Sequence, residues 1–263
     1  MKQLLPDGIA ALGRFARRKA LLAFDFDGTL APICEDPALA RLEPRTLDLL
    51  GRVAALYDCA VLSGRAEADV VQRLQGIDLA FIAGNHGIEP WSGTAEIEAA
   101  VGRWRAALAT SLAGAPGVEV EDKRFSLAIH YRRAPDEAAA CAVIDRAVAA
   151  LGPIRRLGGK QVLNVLPAGM PTKGDALARI RVVLGCEVAI YVGDDETDED
   201  VFSRRAPWLF GIRVGPERSS AAEWHLRDQR EIDALLEALW EMAIEPVAER
   251  PTRGAPSNAV GDR

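Results

Sequence analysis

Short apolar runs that stop abruptly at polar clusters constrain the fold of this 263-residue chain more than any other feature. The runs are Leu21–Phe24, Cys59–Leu62, Leu79–Ala83 and Val188–Val192. Helical patterns adjoin them, at 45–56, 70–74 and 175–184. Because short buried strands that alternate with helices are typical of parallel sheets, the pattern predicts an α/β fold with a doubly wound parallel sheet.

Between residues 89 and 167 the pattern changes to helix, hairpin, helix, hairpin. That order predicts a small α+β domain with an antiparallel sheet, inserted into the first domain. We therefore expect a main domain of residues 1–88 and 168–244 and an inserted domain of residues 89–167. Residues 245–263 are polar and contain Pro and Gly, so we expect a disordered tail.

Charge and hydropathy exclude several classes of partner. The formal net charge of -6 argues against nucleic acid, which normally binds a clustered basic face. No apolar run approaches the roughly 20 residues that a membrane span requires. The first residues lack the order of a secretory signal. We expect a cytoplasmic monomer that acts on a small molecule, without a nucleic-acid or membrane partner.

The polar clusters follow the predicted strands, so they should meet at the carboxyl edge of the sheet. Asp25 and Asp27 follow the first strand, and their oxygens could form half of a site for a hard cation. Gly28 permits a sharp turn, and Thr29 could bind a phosphate oxygen. The alternative interpretation is a simple turn with local Asx hydrogen bonds.

Two further positions indicate phosphate binding. Ser63 follows the second strand, where a hydroxyl and free N–H groups at a helix start form an anion site. Lys173 lies at the start of a helix, where the helix dipole disfavours a cation unless an anion is bound. The alternatives are that Ser63 is an ordinary helix N-cap and that Lys173 is solvated.

The acidic run from Asp194 to Asp200 follows the last predicted strand. Such a density of carboxylates repels itself unless something positive is bound, and an acidic helix N-terminus would account for only part of it. We expect a divalent cation, with Asp194 as the nearest ligand and with Asp195 and Asp198 supporting the site. An oxygen-rich site of this kind suits Mg²⁺ better than zinc.

In this order, the four clusters resemble the motifs of phosphatases of the haloacid dehalogenase (HAD) superfamily. Together with Val61–Arg65 and His86-Gly87, the run Gly193–Phe202 is similar to the trehalose-6-phosphate phosphatase family. The resemblance covers residues 21–239, and the insert lies where that family carries its cap domain. It implies hydrolysis of trehalose 6-phosphate to trehalose and phosphate, in trehalose biosynthesis.

The resemblance also implies roles for individual residues. Asp25 would attack phosphorus and form an aspartyl phosphate, while Asp27 would act first as general acid and then as general base. Ser63 and Lys173 would bind phosphoryl oxygens. The metal would be held by Asp25, the carbonyl of Asp27 and Asp194, and the acidic run adds Asp195 and Asp198 as residues that support this metal site.

Substrate choice would depend on both sides of the cleft between core and cap. The expected substrate-binding residues are Thr29, Arg65, Asn85, His86, Lys123, His130, Arg132 and Asn164. Lys123 and Arg132 could instead be solvated hairpin residues. Asn164 stands where the family typically has a Glu, so a different phosphorylated disaccharide or glycoside is an alternative substrate. A non-catalytic module that binds sugar phosphate is a third hypothesis.

Overall fold

The computed structural model describes residues 1–34, 36–159, 161–216 and 219–244, so the predicted tail lies outside the described residues. The strands are β1 (Lys2–Gln3), β2 (Ala20–Phe24), β3 (Asp58–Leu62), β4 (Phe81–Ala83), β5 (Glu119–Asp122), β6 (Leu127–His130), β7 (Ile154–Gly159), β8 (Val162–Pro167), β9 (Val188–Gly193), β10 (Leu209–Val214) and β11 (Trp224–Leu226). The α-helices are α1 (Ile9–Ala16), α2 (Pro44–Ala54), α3 (Glu67–Arg73), α4 (Ala95–Ser111), α5 (Glu137–Ala149), α6 (Lys173–Val183), α7 (Glu199–Phe202) and α8 (Ile232–Ile244).

The main sheet has seven strands in the order β1-β11-β10-β9-β2-β3-β4. All of its described pairs are parallel. Helices cover both faces because the central strands are apolar on both sides. Leu22 and Phe24 pack in the core that contains α1, α2 and α8, whereas Leu21 and Ala23 pack against α6 and α7. The predicted doubly wound α/β fold is confirmed.

The second sheet is antiparallel, with the order β5-β6-β8-β7. Helices α4 and α5 pack on it around a separate core that includes Val101, Leu127 and Ile144. These elements lie within the predicted insert and follow the predicted order of helices and hairpins. We call residues 89–167 the cap and the remaining described residues the core; the domain boundaries themselves stay a prediction.

Three strands of the main sheet were not expected from the sequence. β1 and β11 have two and three residues, too few for a hydrophobic period to be read. β10 pairs with β9 and places Arg213 opposite Gly193, beside the acidic run. Within the described ranges, every helix is too short or too polar to traverse a lipid bilayer.

Candidate active site

The predicted polar clusters follow strands that lie side by side. Strands β9, β2, β3 and β4 are consecutive in the sheet, so their carboxyl ends form one edge. A cavity of about 160 Å³ lies between this edge and the cap. Among the predicted site residues, those that line it are Asp25, Asp27, Arg65, His86, Lys123, His130, Arg132, Asn164, Lys173, Asp194 and Asp195.

Lys173 joins two of the carboxylates. Its Nζ lies 2.9 Å from Oδ1 of Asp25 and 2.8 Å from Oδ1 of Asp198, and its side chain is only 2% exposed. Thr172 and Asp175 cap the start of α6 reciprocally and so fix the position of Lys173. Burial alone would lower the pKa of Lys173, but the two carboxylates raise it above its ordinary value. The solvated alternative for this lysine is therefore wrong.

A cluster of carboxylate oxygens lies next to Lys173. Asp25, Asp194 and Asp198 each offer one oxygen, and these oxygens lie within 4.8 Å of one another. Burial raises the pKa of Asp25 well above its ordinary range, and repulsion by Asp198 and Asp194 adds to this effect while Lys173 opposes it. A set of buried oxygen donors with excess negative charge fits a hard divalent cation such as Mg²⁺. The side chains of Asp27 and Asp195 are outside this cluster.

Thr29 supports Asp194 instead of facing the cavity. Its hydroxyl donates to Oδ1 of Asp194 at 3.4 Å, and the residue is fully buried. Gly28 has φ +83°, and a Cβ there would overlap the Asp194 carboxylate. The Thr29 hydroxyl is thus directed at Asp194, and phosphate binding by the Thr29 amide stays a prediction.

Asp198 receives hydrogen bonds from three directions. Its Oδ1 accepts from Lys173 and, at 2.7 Å, from the hydroxyl of Tyr191, while its Oδ2 accepts from the N–H of Asp195 at 2.9 Å. The Asp195 carboxylate accepts from the N–H of Glu196 and caps the following turn. Asp198 therefore orders both Lys173 and residues 194–199, which we call the acidic loop.

Arg65 forms a two-pronged ion pair with Asp27. Its Nε and Nη2 donate to the two Asp27 oxygens, each at 2.7 Å. Nη1 donates to Asp69 at 2.9 Å, and Nη2 also donates to the carbonyl of Pro37. These contacts orient Asp27. Arg65 also lines the cavity, so its expected role in substrate binding stays a prediction.

Ser63 is buried at the end of β3, and its Oγ accepts from the N–H of Arg65 at 3.1 Å. The N-cap of α3 is Ala66, so the alternative interpretation of Ser63 as the helix N-cap is wrong. Accepting this bond leaves the hydroxyl proton of Ser63 available for donation. The neighbouring Gly64 and Arg65 line the cavity.

Asn85 connects the core to the cap. Its Nδ2 donates to Glu89 at 2.7 Å and to the carbonyl of Lys123 at 2.9 Å, and its Oδ1 accepts from Ser126 at 2.5 Å. Glu89 also accepts from the N–H of Glu67 at 2.8 Å. We call Asn85, Glu89 and Ser126 the clasp. Because the side chain of Asn85 is buried in these contacts, its expected role in sugar binding is corrected to one that fixes the cap.

His86 faces the cavity in a strained conformation, with φ 57°. Both ring nitrogens are buried without a well-formed hydrogen bond to the described residues. Burial lowers the pKa of His86 well below its ordinary value, and Lys123 and Lys173 lower it further, while Asn164 opposes them. A neutral imidazole that faces the cavity can exchange hydrogen bonds with a sugar hydroxyl.

The cap contributes the other wall of the cavity. Lys123 is half-buried, and its Nζ donates to the carbonyl of Gly64 at 3.1 Å. His130 bonds to Glu121 at 2.8 Å, and Arg132 donates to the carbonyl of Cys34 at 2.9 Å. Lys123 and Arg132 therefore contact the core, and their interpretation as solvated hairpin residues is wrong.

The sequence of this chain is similar to those of known proteins. A family model described as "Trehalose-phosphatase" matches residues 23–230. The chain belongs to the trehalose-phosphatase family. It is 38% identical over 221 residues to a trehalose-phosphate phosphatase of Mycobacterium tuberculosis, which covers 77% of this chain and 56% of that protein. It is 34% identical over 278 residues to probable trehalose-phosphate phosphatase 9 of Oryza sativa, with 88% and 74% covered.

The solved structures agree on the fold. The C-terminal domain of Candida albicans trehalose-6-phosphate phosphatase superposes with TM-score 0.73 at 21% identity, covering 92% of this chain and 97% of that one. A HAD subclass IIB sugar phosphatase superposes with TM-score 0.59 at 16% identity, covering 84% and 98%. The chain spans about half the length of the mycobacterial members of the trehalose-phosphatase family that it matches.

Four residues that support the site were missed by sequence reasoning. They are Glu89 and Ser126 of the clasp, Tyr191 beneath Asp198, and Arg213, which contacts the acidic loop. No local motif marks them. The sequence signal for Glu89 is its place at the expected crossing into the cap. Arg213 lies on β10, a strand that the sequence pattern does not predict.

Proposed function

We propose that this chain is a Mg²⁺-dependent phosphatase that hydrolyses trehalose 6-phosphate to trehalose and phosphate through an aspartyl phosphate on Asp25. Membership of the trehalose-phosphatase family supports the substrate. The observation that carries the chemistry is the contact of Asp25 with Lys173 at 2.9 Å, at the edge of a cavity that the cap also lines. Lys173 can hold a phosphoryl oxygen beside the attacking carboxylate.

In the first step, an oxygen of Asp25 attacks phosphorus and the bond from phosphorus to the sugar oxygen breaks. The departing oxygen takes a proton from Asp27. In the second step, Asp27 accepts a proton from water as the water oxygen attacks phosphorus, and the bond to Asp25 breaks. Asp27 is thus the general acid and then the general base, and Arg65 holds it at the cavity.

Asp25, Asp194 and Asp198, with the carbonyl of Asp27 as a further ligand, would hold Mg²⁺, which would offset negative charge on the phosphoryl group. The other proposed contacts to the substrate come from side chains. Ser63 and Lys173 would bind phosphoryl oxygens. His86, Lys123, His130, Arg132 and Asn164 line the cavity and would contact the sugar. Cap contacts would exclude water until the second step.

The substrate is tested by phosphate release across a panel of sugar phosphates, with Mg²⁺ or with chelator. We expect fast turnover of trehalose 6-phosphate that the chelator abolishes. Asn164 lines the cavity where the family typically has a Glu, so the panel includes other phosphorylated disaccharides and glycosides. If one of these is turned over fast and trehalose 6-phosphate slowly, the proposed substrate is wrong, while the proposed phosphatase mechanism still holds.

The nucleophile is tested with Asp25→Asn, which should remove turnover while the circular dichroism spectrum is unchanged. Binding of the sugar phosphate without turnover by the unaltered chain would favour a non-catalytic module. We also propose a monomer, and light scattering after gel filtration tests this. A cytoplasmic location stays a prediction.

A further inference from the structure

Arg213 contacts the main chain of the acidic loop from the neighbouring strand. It lies near the end of β10, where it pairs with Gly193 of β9. Its Nη2 donates to the carbonyl of Asp194 at 2.7 Å, and its Nη1 donates to the carbonyl of Asp195 at 3.1 Å. The side chain is only 10% exposed. A buried guanidinium therefore binds two successive carbonyls beside the proposed metal site.

The same guanidinium also holds the far end of the loop. Nη1 donates to Oε1 of Glu199 at 2.9 Å, and Oε2 of Glu199 accepts from the N–H of Ala221 at 2.9 Å. Arg213 thus joins both ends of the segment 194–199. Its planar fork fixes the orientation of the two peptide groups more narrowly than a flexible ammonium could.

We infer that Arg213 is a positioning residue for the divalent cation: it orders the acidic loop so that Asp194 faces Asp25 before the metal binds. The inference rests on the metal site of the proposed function. Arg213 is directed at carbonyl oxygens of the loop, which leaves the clustered oxygens of Asp25, Asp194 and Asp198 for the metal. A preordered site spares the metal the entropy of ordering the loop.

Two effects of Arg213 on metal affinity have opposite signs. Ordering of the loop strengthens binding, whereas repulsion between the guanidinium and a dication weakens it. Because the guanidinium makes three hydrogen bonds to the loop, we expect ordering to dominate. Removing Arg213 should therefore weaken Mg²⁺ binding, and the sign of the change decides between the two effects.

The test measures Mg²⁺ affinity directly by titration calorimetry on the full chain, with Mn²⁺ binding by electron paramagnetic resonance as a second readout. We expect Arg213→Met to weaken binding roughly 10- to 100-fold, as is usual when a residue supporting metal ligands is lost. Arg213→Lys should weaken Mg²⁺ binding less than Arg213→Met does. The matched control is Arg181→Met, since Arg181 donates to the carbonyls of Cys186 and Glu187, away from the acidic loop.

Equal or tighter binding by Arg213→Met would overturn the inference, and so would an equal loss in Arg181→Met. If Arg213→Met fails to fold in chelator, Arg213→Lys decides: wild-type affinity overturns the inference, and weakened affinity supports it. If the unaltered chain binds no Mg²⁺, the proposed metal site fails and this inference fails with it. Mg²⁺ binding that is unchanged by Arg213 substitution refutes the inference alone.

Discussion

Arg65 donates through all three of its nitrogens, and two of them meet the carboxylate of Asp27. The proposed acid and base therefore takes its orientation from an arginine 38 positions away. A bidentate pair limits the carboxylate to one orientation. At the scale of single residues, the site depends on such supporting contacts as much as on the reacting groups.

We predict that Arg65→Met lowers kcat roughly 100-fold with a smaller change in KM, because misplacing a reacting group by about 1 Å has an effect of that size. Steady-state kinetics on the proposed substrate measures both constants. Arg73→Met is the matched control, since Arg73 pairs with the same Asp69 but donates otherwise to the carbonyls of Ala38 and Ala40. A rise in KM at constant kcat would contradict this prediction and favour substrate binding as the role of Arg65.

His86 predicts a pH dependence of stability. Its folded pKa lies well below the ordinary value, so below about pH 6.5 the unfolded chain takes up a proton that the folded chain does not. As the pH falls below about 6.5, this group should lower the free energy of unfolding by up to about 1.4 kcal/mol per pH unit. We expect urea unfolding to show that the free energy of unfolding of His86→Asn depends less on pH, between about pH 7 and pH 5, than that of the unaltered chain. The same dependence in both proteins would contradict the lowered pKa of His86.

At the scale of elements, the hairpin of β5 and β6 is fixed to the core by the clasp. Ser126 and the carbonyl of Lys123 bond to Asn85, which follows β4. The same hairpin carries Lys123 to the carbonyl of Gly64. The clasp therefore sets the position of one cap residue that lines the cavity.

We predict that Ser126→Ala destabilises the fold by roughly 1–3 kcal/mol, because it leaves Oδ1 of the buried Asn85 without its donor. KM for the proposed substrate should rise, since Lys123 loses part of its support. Chemical denaturation and steady-state kinetics measure the two effects. Ser111→Ala removes an exposed hydroxyl that bonds within α4 and should change neither value.

At the scale of the whole molecule, carboxylates from different parts of the chain concentrate negative charge at one edge of the sheet. Asp25 follows β2, whereas Asp194 and Asp198 follow β9. Folding brings them together, so a cation bound there should stabilise the folded chain through mass action.

We predict that Mg²⁺ at about 100 times its dissociation constant raises the free energy of unfolding by roughly 2.7 kcal/mol relative to chelator. Thermal unfolding with Mg²⁺ and with chelator measures the shift. Asp194→Asn should reduce it strongly, whereas Asp200→Asn, in the same acidic run but outside the cluster, should preserve it. If Mg²⁺ stabilises Asp194→Asn as much as the unaltered chain, the cation binds elsewhere.

The amino-acid sequence alone determined the fold class and the edge at which the polar clusters meet. Apolar runs such as Leu21–Phe24 are local signals, and parallel strands carry their ligands at their carboxyl ends. The position of Asp25 and the presence of Lys173 at a helix start could therefore be predicted. The order of elements in the cap followed from periodicity in the same way.

Tertiary structure alone decided which groups face the cavity and which support them. Thr29 bonds to a residue 165 positions away, and Asn85 bonds to one 41 positions away. Arg213 acts from a strand whose neighbour in the sheet had to be known first. The sequence gives the donors and acceptors of a polar side chain but not its hydrogen-bond partner, because the partner depends on packing between segments that are distant along the chain.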